Sequence, residues 1–363
     1  MNAPRRLLAL VLLGIAPAPR PTTAAGVTTA SVPGGGKPVA ARADREGAIH
    51  LLFDSPGGPA YARSTDDGAT FGPIVKVVGD GPKPAGLEYE GWDLAVGRGG
   101  RVHVAVGNNA WKLKLPEDEW GYFYARLDPG ATAFTPIANL SRGPAEGFSL
   151  AADGSGNVAA CWLAGRLFAS VSRDDGTRFG PPAEVDPSYD PCDCCTTSAT
   201  FGTDGRLAIL YREQTNNDRD MHLVLRDLAS GRTTRTRVGT TPWKVDACPM
   251  TYFSVNPAPD GGFATAWPTR GRITAARLNP SGTMLPPGEI ATPGRSGMRT
   301  GLVALSHPDG STLVAWKEKQ DGQAGWQVFR PDGSPDGPAG SAPGSGPGLA
   351  AAIGRGGRFV VFP

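Results

Sequence analysis

The segment LAVGRGGRVHVAV, Leu94–Val106, decides how this chain is to be read. A short apolar run enters a Gly-rich reversal around Gly100, and a second run returns in which Val alternates with His and Ala. Side chains of a strand alternate between two faces, and Gly adopts the positive φ of tight reversals, so the segment predicts a two-strand hairpin. The same unit recurs as VAARADREGAIHLLF around Gly47, LAADGSGNVAACW around Gly156 and ATFGTDGRLAILY around Gly205. It returns as VNPAPDGGFATAW around Gly261, LSHPDGSTLVAW around Gly310 and AAIGRGGRFVVF around Gly357, at spacings of 47 to 56 residues.

Each interval leaves room for two more strands, such as Pro59–Ser64 and Pro73–Val78 in the first, and no long window shows helical periodicity. Tandem sandwich modules would need about 100 residues each. Four strands per repeat of this length make a propeller blade, so the expectation is an all-β chain folded as a β-propeller. Seven hairpins predict seven blades, with six the alternative. The seventh hairpin runs into the C-terminus, so its outer strand is expected from the N-terminus, within Val27–Val32, which closes the ring. The tract Pro331–Pro347 reads as a long surface loop before the last hairpin.

Composition agrees. Gly and Pro number 51 and 35 of 363 residues, which suits many strands joined by tight turns, and hydrophobic residues make up 40%, enough for a core. Net charge is +2 with both signs interspersed, which argues against nucleic acid or an anionic membrane as partner. Arg5 and Arg6 precede the apolar run Leu7–Ala16 and a small-residue tract to Ala25. That run is shorter than the about 20 residues of a membrane span, so residues 1–25 are expected to be a signal peptide, and 26–363 a single secreted or periplasmic domain, monomeric and without a membrane span.

Two segments carry a family signature: Ser64-Thr65-Asp66-Asp67-Gly68-Ala69-Thr70-Phe71 and Ser172-Arg173-Asp174-Asp175-Gly176-Thr177-Arg178-Phe179. Each resembles the Asp-box, or BNR repeat, of sialidase-like propellers. The family places these boxes between the outer two strands of a blade, away from the active site, so Ser64, Asp66, Gly68, Phe71, Ser172, Asp174, Gly176 and Phe179 are expected to be structural. Further on, Cys192-Asp193-Cys194-Cys195, Tyr211-Arg212-Glu213, Arg219-Asp220-Met221 and Trp243-Lys244-Val245-Asp246-Ala247-Cys248-Pro249 follow one another. Together they are similar to a group of exported bacterial proteins labelled exo-α-sialidase-like, best over Gly147–Pro268. The resemblance implies a glycoside hydrolase with an Arg triad, a Tyr nucleophile with its Glu, and an Asp acid/base. Gly36-Lys37-Pro38 stands where the family carries its first Arg, and no Tyr follows Tyr252.

Propeller topology puts the loops entering the inner strands on one face with those joining second and third strands. These loops are rich in charge and aromatics, among them Glu88, Glu90, Trp111, Lys112 and Glu146. On this face Arg212, Arg219, Arg299, Trp243 and Asp193 are the expected substrate-binding residues, with Glu213 and Asp246 the candidate acid/base groups. The ligand class is a carbohydrate or glycoconjugate; the alternative is a non-catalytic propeller that binds protein or glycan. The cluster Cys192, Cys194, Cys195 and Cys248 admits a disulfide from Cys194 or Cys195 to Cys248, a four-thiolate metal site, or inert thiols. Zinc sites favour paired C-x-x-C spacing and an oxidising compartment favours disulfides, so no cofactor is expected. Cys161, in VAACWLAG, is the expected buried free thiol.

Overall fold

The computed structural model describes residues 26–79, 83–87 and 91–363; the expected signal peptide lies outside them, as do Glu88 and Glu90. The chain is a seven-bladed all-β propeller. Among the described residues no helix is long and apolar enough to cross a membrane.

Each recurring hairpin supplies the first two strands of a blade. In the fourth blade these are Ser198–Phe201 and Leu207–Arg212, followed by Met221–Arg226 and Thr233–Arg237, all antiparallel. Among the described residues six blades have four strands and the seventh has three. There Ala350–Ile353 pairs with Phe359–Phe362, and Val27–Thr29 lies on the outer side of the latter with Val27 opposite Phe359. The expected closure by the N-terminus is present, but the closing strand runs parallel to its neighbour, where every other third strand is antiparallel. It has the position of a third strand and the direction of a fourth. That direction delivers the chain to the face from which Lys37–Ala43, the inner strand of the first blade, sets out.

A three-stranded blade suffices because the outer strands contribute little. Val75–Lys76 and Ala183–Glu184 are two residues long and largely exposed, so each outer pairing adds only a few hydrogen bonds of about 1 kcal/mol. By contrast, Phe359, Val360, Val361 and Phe362 are fully buried, at roughly 1.5–3 kcal/mol each. The Gly/Pro-rich tract after Pro331, expected as loop alone, contains the sixth blade's outer strand, Gly340–Ala342. A strand this short carries no periodic signal.

Blades stack face to face, so a second strand is covered on both sides. Leu207, Ile209 and Tyr211 join the core shared with the third blade, while Ala208 and Leu210 join the core shared with the fifth. Trp162, Trp267 and Trp316 fill such inter-blade layers. Near the central channel, side chains link neighbouring inner strands: Asp93 accepts from Arg42 at 3.1 Å and from the Leu150 amide at 2.8 Å, and Ser254 Oγ accepts from the Ala304 amide at 3.1 Å.

The two Ser-x-Asp-x-Gly segments form the tips between third and fourth strands of the first and third blades. Ser64 Oγ donates to Asp66 Oδ1 at 2.8 Å and accepts from the Gly68 amide at 2.9 Å; Ser172 repeats both bonds with Asp174 and Gly176 at the same lengths. Phe71 packs on Phe362 and Phe179 on Tyr124. The next residue in each, Asp67 or Asp175, takes positive φ and reaches the first hairpin of the preceding blade. Those hairpins carry the chain's two GRGGR sequences, Gly97–Arg101 and Gly354–Arg358. Asp175 accepts from Arg101, with Arg98 at 3.4 Å, and Asp67 Oδ2 accepts from the Gly356 amide at 3.0 Å. A Cβ at Gly356 would lie 2.6 Å from Asp67 Oδ2, so any side chain there would push the Asp67 carboxylate off the Gly356 amide.

The tip bonds differ in burial, and the stability losses should follow. Asp175 is buried against Arg101, so Asp175→Ala should lower the unfolding free energy by about 2–4 kcal/mol. Asp67 is half-buried and meets only a backbone amide, so Asp67→Ala should cost about 1 kcal/mol. Equal losses in denaturant titrations would contradict this account of the tips.

His103, beneath the Asp175 tip, bonds Tyr124 OH at 2.7 Å; burial, with the Arg101 and Arg126 charges, holds its pKa down to about 3. The folded value lies below the ordinary one, near 6.5, so protonation favours the unfolded chain. Stability from this group is complete above about pH 6.5 and is lost as pH falls toward 3. His103→Gln should flatten the pH dependence of stability over that window; an unchanged slope would contradict the assignment.

Candidate functional site

The structure brings the cysteine, Tyr-Arg-Glu, Arg-Asp-Met and Trp–Cys-Pro segments together, and they brace one another. The Cys192 amide donates to Arg212 O at 2.8 Å, and Pro191 bridges Glu213. The Arg219 amide donates to Trp243 O at 2.7 Å, the Val245 amide to Asn217 O at 3.0 Å, and the Trp243 amide to Asp220 Oδ1 at 3.1 Å. Cys194 and Cys248 form a disulfide with Cα atoms 6.3 Å apart, tying the entry loops of the fourth and fifth blades. That pairing takes two of the four sulfurs and leaves Cys192 and Cys195 as buried thiols, with Cys161 buried in the third blade.

Arg212 ends the fourth blade's second strand in register with Ala208 and Leu210, which turns it toward the fifth blade. It is fully buried, donating through Nη1 to Arg219 O at 2.5 Å and through Nη2 to Pro268 O at 2.6 Å, with the Trp243 ring 4.9 Å away. Arg219 is also buried and gives Nε to Ala247 O at 3.1 Å. Among the described residues no carboxylate pairs with Arg212; Cys195 and Cys192 are the acidic groups beside it. Glu213 is buried with Oε1 3.3 Å from His222 Nε2, and His222 stacks on Tyr189. Asp193 accepts from the Gly165 amide at 3.1 Å, and burial holds its carboxyl above the usual range. Asp246 is exposed and Trp243 half-buried. The hydrogen bond it shares with Cys192 and the Arg212 charge behind it bring the Cys195 thiol down, while Cys192, bonded to Cys195 and desolvated, is pushed up.

A separate groove of about 240 Å³ opens on the same entry face, from the second blade toward the channel mouth. Trp111, Trp120, Tyr122, Glu146, Tyr252 and Arg299 line it, and Cys194 and Cys195 form part of its wall. Arg212, Arg219, Glu213 and Asp246 are not among its lining residues. Arg299, set with positive φ where its amide donates to Met250 O at 2.8 Å, is the expected binding residue that reaches it. Trp111 rides on the single helical turn Ala110–Leu113, capped by Asn109 Oδ1 accepting from the Lys112 amide at 3.2 Å. The loop beneath is braced: Trp120 Nε1 donates to Leu115 O at 2.8 Å, and Asn108 Nδ2 to Glu119 O at 2.9 Å. On this platform Trp111 is 73% exposed, an unusual position for so large a ring.

A larger cavity, about 800 Å³, lies on the opposite face between the first two blades. Four of its polar side chains are engaged with one another: Asp44 lies 3.2 Å from both His50 and Arg63, and His50 bonds Tyr61 OH at 2.8 Å. The smaller entry-face groove has the exposed aromatic and so the stronger claim. Trp120, Tyr122 and Tyr252 were outside the expected site; the signal for the first two was the density of aromatic rings between Trp111 and Tyr122.

No protein-family model matches the sequence, and no curated protein matches it. Solved structures share its fold. A fungal lectin from Aleuria aurantia, described as a six-bladed β-propeller with a novel fucose recognition mode, aligns at 15% identity and TM-score 0.53 over 86% of this chain and 97% of its own. An ulvan lyase of polysaccharide lyase family 25, bound to a GlcA–Rha3S unit, aligns at 12% and 0.54 over 88% and 87%. The α-L-arabinanase of Penicillium chrysogenum, complexed with arabinobiose, aligns at 18% and 0.52 over 85% and 99%. These neighbours bind or process carbohydrates, and at such identities the likeness is one of fold: this chain is a β-propeller.

Proposed function

We propose that the chain is an exported, monomeric carbohydrate-binding propeller that takes an acidic glycan in the entry-face groove. The observation that carries this reading is the exposed Trp111, held on a braced loop in one groove with Trp120, Tyr122, Tyr252 and Arg299. Aromatic rings offer apolar faces to the C–H surfaces of sugars, and a guanidinium suits a carboxylate or sulfate bidentately. The disulfide and the apolar leader expected in residues 1–25 support a site outside the cytoplasm. The carbohydrate ligands of its fold neighbours lean the same way.

Binding is favoured over hydrolysis. Glycoside hydrolysis ordinarily needs two carboxyl groups flanking the bond, and among the described lining residues Glu146 is the one carboxylate. The guanidiniums expected to clamp a sialic acid, Arg212 and Arg219, are engaged with backbone carbonyls. A fluorogenic sialoside should therefore not turn over, and turnover abolished by Arg299→Ala would make the groove an active site instead.

Acidic oligosaccharides should bind in a glycan array and by calorimetry. Trp111→Ala should weaken that binding roughly thirtyfold, the effect of losing an anchor of about 2 kcal/mol, while changing fold stability by less than about 0.5 kcal/mol. Arg212→Ala should act oppositely, costing about 3 kcal/mol or more of stability through two buried carbonyls left without donors. Glycan affinity unaltered by Trp111→Ala would place the ligand elsewhere.

A further inference from the structure

Cys192 Sγ lies 3.4 Å from Cys194 Sγ and 3.6 Å from Cys195 Sγ, so one sulfur of the Cys194–Cys248 disulfide is in contact with a thiol that is itself in contact with a second. Cys192 and Cys195 are buried, whereas Cys248 is exposed and Cys194 half-buried. A turn holds the inner pair, the Cys195 amide donating to Cys192 O at 2.9 Å, and their C-x-x-C spacing is the one dithiol redox motifs use. The charge around them is equally specific. A fully buried guanidinium needs an anion, and Arg212 has none among the described carboxylates; Nε of Arg212 and an Nη of Arg219 are buried without an acceptor. A thiolate on the inner pair answers both.

We propose that Cys192 and Cys195 are an internal dithiol that exchanges with the Cys194–Cys248 disulfide, moving one disulfide between an outer and an inner position and offering Cys248 as a surface thiol to disulfide-bearing molecules. In the first step Cys195, the thiolate of the pair, takes the proton of Cys192, and the Cys192 thiolate so formed attacks Cys194 Sγ. The Cys192–Cys194 bond forms, the Cys194–Cys248 bond breaks, and the electron pair leaves on Cys248, which takes a proton from water. In the second step Cys195 attacks Cys192 Sγ. The Cys192–Cys195 bond forms, Cys194 departs as the leaving group, and the proton of Cys195 passes to it. The number of disulfides is unchanged throughout, so no external oxidant or reductant is required. The inference does not depend on what the groove binds.

The test maps disulfides in the full chain, purified without reductant or chelator, incubated with iodoacetamide at pH 8, acid-quenched and digested for mass spectrometry. Wild type should contain both Cys194–Cys248 and Cys192–Cys195 peptides and should accumulate alkylated Cys248 at least about tenfold faster than Cys192→Ser, which removes the attacking sulfur. Cys195→Ser, in which hydroxide at pH 8 must take the Cys192 proton, should react more slowly and stop at Cys192–Cys194 with Cys248 alkylated. Cys161→Ser, outside the cluster, should behave as wild type. Wild-type protein that holds only Cys194–Cys248, with Cys248 unlabelled, would overturn the proposal without recourse to any variant. So would a cluster isolated with bound metal and no disulfide.

Discussion

The second strand of every blade has no solvent face, and this double burial governs the rest of the molecule. Leu207–Arg212 and Thr312–Lys317 are buried at every position, because blades stack on both sides of them. A strand so placed is stabilised mainly by apolar side chains; a polar group inside it needs a partner, as Thr265 finds in Ala276 O, and a cationic side chain sits at its end, where a carbonyl of the next blade can reach it. Arg212 and Lys317 occupy that terminal position, and Lys317 gives Nζ to Gly346 O at 2.6 Å as Arg212 gives its guanidinium to Pro268 O. Chemistry is thereby confined to the loops, and above all to the entry face.

The same constraint explains what could be read in the sequence. The seven hairpins announce themselves because Gly recurs at each reversal between apolar segments, and the ring closure follows from a last hairpin that lacks an outer partner. The parallel direction of Val27–Thr29 was not legible, since three residues carry no orientation; it follows from the need to deliver the chain to the first inner strand. The pairing of each Ser-x-Asp-Asp-Gly tip with a GRGGR hairpin one blade earlier was also hidden. Both motifs are visible in the chain, but only the ring brings Asp67 to Gly356 and Asp175 to Arg101.

The site was less legible than the fold. Arg212, Glu213 and Arg219 looked like loop residues next to a strand end, yet the strand's register carries the first into an inter-blade layer and the loop bonds bury the other two. Sequence spacing reports which residues approach one another; it does not report whether their polar atoms are already engaged. Arg299, expected from its face alone, lines the groove. Trp111 stands out only once the bonds of Asn108, Asn109 and Trp120 show that its loop is held rigidly with the ring outward. The cysteines divide between these cases: the Cys194–Cys248 link was among the expected pairings, whereas the close approach of Cys192 and Cys195 depends on the turn that holds them.

Hydrogen–deuterium exchange with and without an acidic oligosaccharide tests the central claim, that ligand binds the entry-face groove, most directly. The account predicts slowed exchange in 107–122, 144–147 and 296–300, with the tips at 64–71 and 172–179 unchanged. Protection at those tips or around His50 and Arg63, with none at 107–122, would contradict it.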